Sequence, residues 1–435
     1  MGNRERIIEL DKRHVWHPYT PMAEYIAETN PLVIERAAGS RLYDVDGRSY
    51  LDGNASWWTA VLGHNHPRLV AALTRQAETL CHTALGGITH EPAATLAEKL
   101  VGVAPRGLTR VFFVDNGSTA VEAALRLSLQ YQFQNHEPGR TRLVALANAF
   151  HGETLGAVAL GGVEEFRRSL EAVLPKVDHL ASPADGLDAA IDALRRFFAS
   201  QGETVAALVL EPMLQGAGGM RTYDAEYLRE ARRVTRAAGA LLVVDEVFTG
   251  YGRTGPMWAS EHAGVTPDIL CTAKGMSGGI LPMGAVLVTE RVFSGFLGDP
   301  SRAFFYGHTF CGNPLGAAVA NEVLAVYEDE HVLEAARGKA RRIAETFAEL
   351  GELPHVSAAR SLGMLGALEL SGGRGYLERA GWRVYTEALR RGAYVRPLGN
   401  TVYVTPALNI LDGDLAELLQ IVCDSVRAVA GARKT

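Results

Sequence analysis

The chain has 435 residues, 47% of them hydrophobic and 21% charged, with a formal charge of −6, so it can bury a large core in two or three structural units. No basic stripe interleaved with aromatics is present, no stretch approaches eighteen consecutive apolar residues, and the start Met1-Gly2-Asn3-Arg4-Glu5-Arg6 lacks the apolar core of a signal peptide, so neither nucleic acid nor membrane is an expected partner and a cytoplasmic location is expected. Cys81, Cys271, Cys311 and Cys423 are widely spaced without a Cys-x-x-Cys pair, which argues against a disulfide framework and against a metal site.

Residues 1 to about 55 read as an irregular arm with two short β-like pieces, Leu32–Arg36 and Arg41–Val45, followed by a turn at Asp46-Gly47. From about 66 to 330, helical patterns alternate with the apolar runs Val111–Val114, Leu143–Leu146, Ala207–Leu210, Leu241–Val244 and Ala285–Val288. This alternation predicts an α/β fold with a largely parallel sheet covered by helices. Beyond 330 come a long charged helix (Val332–Leu350), a strand (Met364–Leu370), a helix near Gly381–Arg391, a strand (Thr401–Thr405) and a last helix from Asp414. Together these predict a second, smaller α/β unit.

Polar residues stand where the apolar runs stop. Asp245 ends Leu241–Val244, and Lys274 follows Ile269-Leu270-Cys271-Thr272-Ala273. In a parallel sheet both would face the crevice at the strands' carboxyl ends. A buried carboxylate opposite a pyridinium nitrogen and a desolvated amine able to form a Schiff base suit pyridoxal phosphate; a salt bridge between strand ends is the plain alternative. Asp115-Asn116-Gly117-Ser118-Thr119 precedes an amphipathic run, and its amides open a helix as either a phosphate cradle or a simple cap. Phe150, after a further strand, either stacks on a flat ring or packs in the core, and His151 reads as a structural hydrogen-bonding group.

These residues, in order, resemble the class III (fold type I) pyridoxal-phosphate aminotransferases over essentially the whole chain. The strongest pieces are Leu241 to Gly255, Pro267-Asp268-Ile269-Leu270 with Lys274, and Gly307-His308-Thr309-Phe310-Cys311-Gly312-Asn313-Pro314. The resemblance implies a large domain (56–329) that binds the cofactor and a small domain built from 1–55, with its N-terminal arm, and 330–435. It implies that Lys274 forms the Schiff base and Asp245 pairs with the ring nitrogen. Asn116, Gly117 and Ser118 would sit at the phosphate, with Phe150, His151 and Glu211 around the ring. Thr309 would reach the phosphate from the other subunit of a homodimer with shared sites.

Four further pieces, His14 to Met22, Gly53 to Trp58, Glu211 to Met220 and Val395 to Gly399, are similar to the branch that aminates 8-amino-7-oxononanoate in biotin synthesis. In that branch Tyr19, Trp57 and Trp58 would wall an apolar chain, Arg396 would take its carboxylate, and Tyr19 would also join Lys274 and Asp245 at the reacting centre. Glu153, Arg253, Gly307 and His308 complete the expected substrate contacts. Phe150 stands where many members of the branch carry tyrosine, and Glu153 replaces a shorter aspartate. His308 stands where forms that use S-adenosylmethionine often carry proline, so the donor is either S-adenosylmethionine or lysine. The alternative activity is another class III ω-amino-acid transamination or an aminomutase reaction.

Overall fold

The computed structural model describes residues 2–372 and 377–430. Seven strands form the central sheet, in chain order β1 (Leu108–Val114), β2 (Arg142–Leu146), β3 (Val177–Leu180), β4 (Val205–Leu210), β5 (Leu241–Asp245), β6 (Ile269–Thr272) and β7 (Gly284–Thr289). Their order across the sheet is β1-β7-β6-β5-β4-β2-β3. Pairings from β6 through β5, β4 and β2 to β3 are parallel, as the sequence predicts, whereas β7 runs antiparallel to both β1 and β6. The exception has a simple cause. A parallel return needs a crossover of a dozen or more residues, usually a helix, and between β6 and β7 the chain carries only the short 3-10 turn Lys274–Ser277.

Every residue of β4 and β5 is buried, which is why their sequences are aliphatic runs rather than alternating ones, that of β5 continuing as far as Asp245. The helix Ala225–Ala238 illustrates how the faces are covered. Asp224 caps it by accepting from the Glu226 amide, Gly239 ends it at φ 75°, and Tyr227, Leu228, Ala231 and Val234 turn inward while Arg229, Arg233 and Arg236 are exposed. Each large apolar side chain buried this way stabilises the fold by about 1.5–3 kcal/mol.

A second sheet joins distant parts of the chain. Ile34–Ala38, Arg41–Asp44 and Ser49–Asp52 are antiparallel neighbours, and Ala393–Tyr394 adds in parallel, with Tyr394 beside Asp52. The expected turn at Asp46-Gly47 lies between the second and third of these strands, with Gly47 at φ 81° and the Asp44 carboxylate accepting the Asp46 and Arg48 amides. Val356–Leu362, Leu365–Leu370 and Thr401–Val404 form a separate antiparallel sheet. The arm is not irregular throughout: Asn3–His14 and Met22–Glu28 are helical. Asn3–His14 buries none of its residues, so it lacks the apolar stripe by which a helix is recognised in a sequence. Among the described residues no helix is long and apolar enough to cross a membrane.

Candidate active site

β5 and β6 end side by side, Asp245 paired in register with Cys271, and the two strand ends open onto a cavity of about 710 Å³. Asp245 lines it and is only 4% exposed. One carboxylate oxygen accepts from the Val247 amide at 3.0 Å and the other from His151 Nδ1 at 2.8 Å, which fixes its orientation. Lys274 enters the same cavity, its ammonium 5.0 Å from the centroid of the Trp58 ring. Burial pulls the Lys274 ammonium below its usual pKa, and the charges of Asp245 and Glu211 restore part of the difference.

The segment expected to cradle an anion is local. β1 runs directly into the helix Gly117–Gln134, whose capping box pairs Asn116 with Thr119. The Thr119 amide donates to Asn116 Oδ1 at 3.0 Å, so the Asn116 side chain serves as the cap, while Gly117 and Ser118, whose amides belong to the first turn where a helix leaves donors unpaired, line the cavity. Gly117 is required by space, since a Cβ there would lie 2.7 Å from Val247 Cγ1. At Gly152, φ is 127° and a Cβ would lie 2.4 Å from Ser118 Oγ, the atom that accepts from the Glu153 amide at 3.0 Å.

Between cradle and strand ends, Phe150 lines the cavity and its amide donates to Glu211 Oε1 at 3.0 Å. The other Glu211 oxygen accepts from the Gly216 amide at 2.8 Å. Burial pushes Glu211 up to about 7; His151 opposes that rise and Asp245 adds to it. Burial disfavours a charged His151, but the Asp245 hydrogen bond and charge outweigh it, so the imidazole titrates above its ordinary value. His151 Nε2 is buried without a hydrogen-bond partner.

The outer wall is built on an uncommon backbone. Ala55, Ser56, Trp57 and Trp58 have φ of 44°, 45°, 57° and 72°, a single left-handed helical turn closed by Trp58 N–H to Asn54 O and Thr59 N–H to Ala55 O, both 2.9 Å. For L-residues this costs about 1–2 kcal/mol each, and such strain gathers at functional sites. Trp58 is buried, tilted on Phe248 at 4.3 Å, and its indole N–H donates to the Tyr403 hydroxyl at 3.3 Å. Trp57 is 38% exposed and meets the Tyr19 ring edge-on at 5.6 Å. The Arg396 guanidinium lies 5.5 Å from the Trp57 centroid and 5.3 Å from that of Trp382. Tyr19 donates to Glu153 Oε1 at 2.5 Å, so two expected substrate contacts bind each other in this structure.

The profile of the family described as Aminotransferase class-III matches residues 24–426. The chain belongs to the class-III aminotransferases. The adenosylmethionine-8-amino-7-oxononanoate aminotransferase of Nitratidesulfovibrio vulgaris is 42% identical over 381 residues, 84% of this chain and 70% of the relative. The crystal structure of the protein with that same description from Methanocaldococcus jannaschii is 32% identical and superposes with a TM-score of 0.95, covering 98% of this chain and 99% of that one. An amine transaminase from an uncultivated Pseudomonas species, solved in its PLP-bound form, is 32% identical with a TM-score of 0.89, covering 95% and 98%.

Within this aminotransferase the cavity gathers Lys274, Asp245, Asn116, Gly117, Ser118, Phe150, His151, Glu211 and Trp58, together with Tyr19, Trp57, Glu153 and Arg396. It does not gather Arg253. That guanidinium is 1% exposed and donates to the Met364 and Pro406 carbonyls at 3.2 and 2.8 Å, tying core segments together. Gly307, His308 and Thr309 also lie off this chain's own cavity. His308 Nδ1 meets Asp115 Oδ2 at 2.8 Å, and the flanking Tyr306 and Phe310 pack on Phe112 and His82, which turns the segment outward. Phe166, Val247, Phe248 and Tyr403 line the cavity without having been expected there. The Tyr19–Phe166 and Phe150–Phe166 edge contacts, at 5.7 and 5.6 Å, close over segments far apart in sequence, a relation no local motif records.

Proposed function

We propose that this aminotransferase uses pyridoxal 5'-phosphate to convert 8-amino-7-oxononanoate to 7,8-diaminononanoate, with S-adenosylmethionine as donor. The observation that carries the reading is one cavity lined both by the buried Asp245 with Lys274 and, beside the more exposed Trp57, by Arg396 between two tryptophans. An acceptor with a reacting ketone at one end, a carboxylate at the other and an apolar chain between them fits that layout. The repeated description of relatives as adenosylmethionine-8-amino-7-oxononanoate aminotransferases supports it.

The residues present fit the cofactor. Gly117 and Ser118 at a helix N-terminus would hold the phosphate, and Asp245 would accept the ring nitrogen's proton-bearing bond. Phe150 would cover the ring. Pyridoxal phosphate, when bound, supplies an aldehyde carbon that takes the donor's amine and a conjugated ring that accepts the electrons of the broken C–H bond. Lys274, whose burial favours the neutral amine, would anchor the cofactor and then hold at Nζ the proton released from the donor carbon before passing it to the cofactor. Asp245, oriented by His151 and the Val247 amide, keeps the proton at the ring nitrogen. Trp58 shields the Lys274 amine from water, and Arg396 positions the acceptor by its far end.

The homodimer belongs to the same reading. Phe305 and Phe310 are 81% and 58% exposed beside Thr309, an apolar surface of the kind a second copy covers, and Thr309 would there reach the other subunit's phosphate. Pairing of Ser49–Asp52 with Ala393–Tyr394 supports assigning 1–55 and 330–435 to one small domain around a large domain of 56–329. The test is direct. Cofactor-loaded protein is mixed with 8-amino-7-oxononanoate and, separately, S-adenosylmethionine, lysine or alanine, and 7,8-diaminononanoate is followed by mass spectrometry. Absence of product with every donor refutes the proposed reaction, and product with lysine alone moves the donor.

A further inference from the structure

The left-handed turn that carries Trp57 and Trp58 hangs from one buried carboxylate. Asp52 is 2% exposed, and its Oδ2 accepts from Ser56 Oγ at 2.8 Å and meets His64 Nε2 at 2.9 Å, while Oδ1 accepts from the Asn54 amide at 3.2 Å. His64 is itself fixed, exchanging backbone hydrogen bonds with Gly39 of the turn between the first two strands of the N-terminal sheet. Next to Asp52, the buried Asn54 accepts from the Arg396 amide at 2.5 Å and donates to the Tyr403 carbonyl at 3.3 Å. The same five-residue stretch therefore sets the Trp57 ring, the backbone that presents Arg396, and the strand that presents Tyr403.

We infer that Asp52, Ser56 and Asn54 are positioning residues for the outer end of the acceptor site, setting selectivity for a long acceptor that ends in a carboxylate. This rests on the acceptor reading given above. Their effect falls on the outer end because the two tryptophans are held differently. Trp58, over Lys274, has further anchors in Phe248 and the Tyr403 hydroxyl. Trp57, 38% exposed, meets the Tyr19 ring edge and the Arg396 guanidinium, and its backbone is set by the turn. A left-handed turn of L-residues has little intrinsic tendency to persist, so loss of its tether to Asp52 lets Ser56 and Trp57 relax toward ordinary backbone regions. Asp245 ends β5, Lys274 opens the 3-10 turn after β6 and Gly117 and Ser118 open the helix after β1, so none of these groups belongs to the turn that relaxes.

The test compares Ser56→Ala with wild type as holoenzyme, with acceptor ketones of equal chain length that differ in carrying or lacking a terminal carboxylate, and with the donor half-reaction followed by cofactor absorbance. Ser56 is exposed, so its substitution leaves the fold intact, and Asp52→Asn, which keeps an acceptor oxygen, serves as the conservative partner to Asp52→Ala. The expected result for Ser56→Ala is a rise in KM for the carboxylate acceptor of about threefold to tenfold, a matching loss of preference over the carboxylate-free ketone, and a donor half-reaction within about twofold of wild type. Asp52→Ala should give the same split more strongly, with Asp52→Asn between it and wild type. A wild type that prefers the carboxylate acceptor, with a preference that Ser56→Ala and Asp52→Ala both leave unchanged, overturns the inference alone, as does an equal fall in both half-reactions. A wild type without the preference overturns the acceptor reading and this inference together.

Discussion

Gly152→Ala tests whether the phosphate cradle is set by the loop that follows β2. The glycine sits at φ 127°, where an alanine is strained by about 1–3 kcal/mol, and the new Cβ would lie 2.4 Å from Ser118 Oγ and 2.7 Å from Ser118 Cα. Neither atom is the end of a long flexible chain, so Ser118 or the loop must move, at a further cost of about 1–3 kcal/mol typical of overpacking. Of the resulting total of roughly 2–6 kcal/mol, the share that displaces Ser118 appears as lost phosphate affinity, at a factor of ten per 1.4 kcal/mol. The expected outcome is a Kd for pyridoxal phosphate raised about 10-fold to 100-fold, measured by titrating apoprotein and following absorbance. Pyridoxal, which lacks the phosphate, is the control and should bind the two proteins alike. An unchanged Kd for pyridoxal phosphate, or an equal loss for both compounds, refutes the assignment of Ser118 and Gly117 to the phosphate.

Three further outcomes are expected. Lys274→Ala should abolish turnover and the absorbance band of the protein-linked cofactor together, and retention of both would remove Lys274 from its role. Arg396→Ala should weaken the carboxylate acceptor by about 2 kcal/mol, near the low end for a charge pair because the guanidinium is half-buried, and a kinetic change confined to the donor would contradict it. Finally, burial raises Glu211 and Glu246 to about 7 and, through Asp245, His151 is raised as well. For all three the folded state holds protons that the unfolded chain releases, so their contribution to apoprotein stability is present near pH 4.5 and declines as pH rises toward and past 7. His179, lowered by burial, works against the trend in part of that window. Urea denaturation of the apoprotein at pH 5 and pH 8 checks it, with greater stability at pH 8 as the contrary result.

What could be read from the sequence follows from what each signal physically is. β4 and β5 are buried on both faces, so their composition alone marks them, and Asp245 and Lys274 stand out because a charge at the end of such a run demands a partner. The helix opening at Gly117 was legible for the same local reason. The helix Asn3–His14 was not, because it is stabilised without burying a face. Arg253 lies inside a glycine-rich stretch that looks like a ligand loop, yet its guanidinium turns into the core toward two carbonyls, a direction that sequence spacing does not carry. Phe166 and Tyr403 reach the cavity through long-range packing, and neither is flanked by anything that distinguishes it from an ordinary core aromatic.

The pairing of Ser49–Asp52 with Ala393–Tyr394 has a temporal consequence. During synthesis the parts that would grip the cofactor, from Gly117 to Lys274, emerge while the strand just before Arg396 and the separate strand that carries Tyr403 are still unmade. Trp57, although among the first residues to leave the ribosome, waits for nearly the whole chain before its neighbour Arg396 exists. The far-carboxylate contact is therefore the last part of the cavity lining to be made, and a chain clipped before Ala393 lacks it.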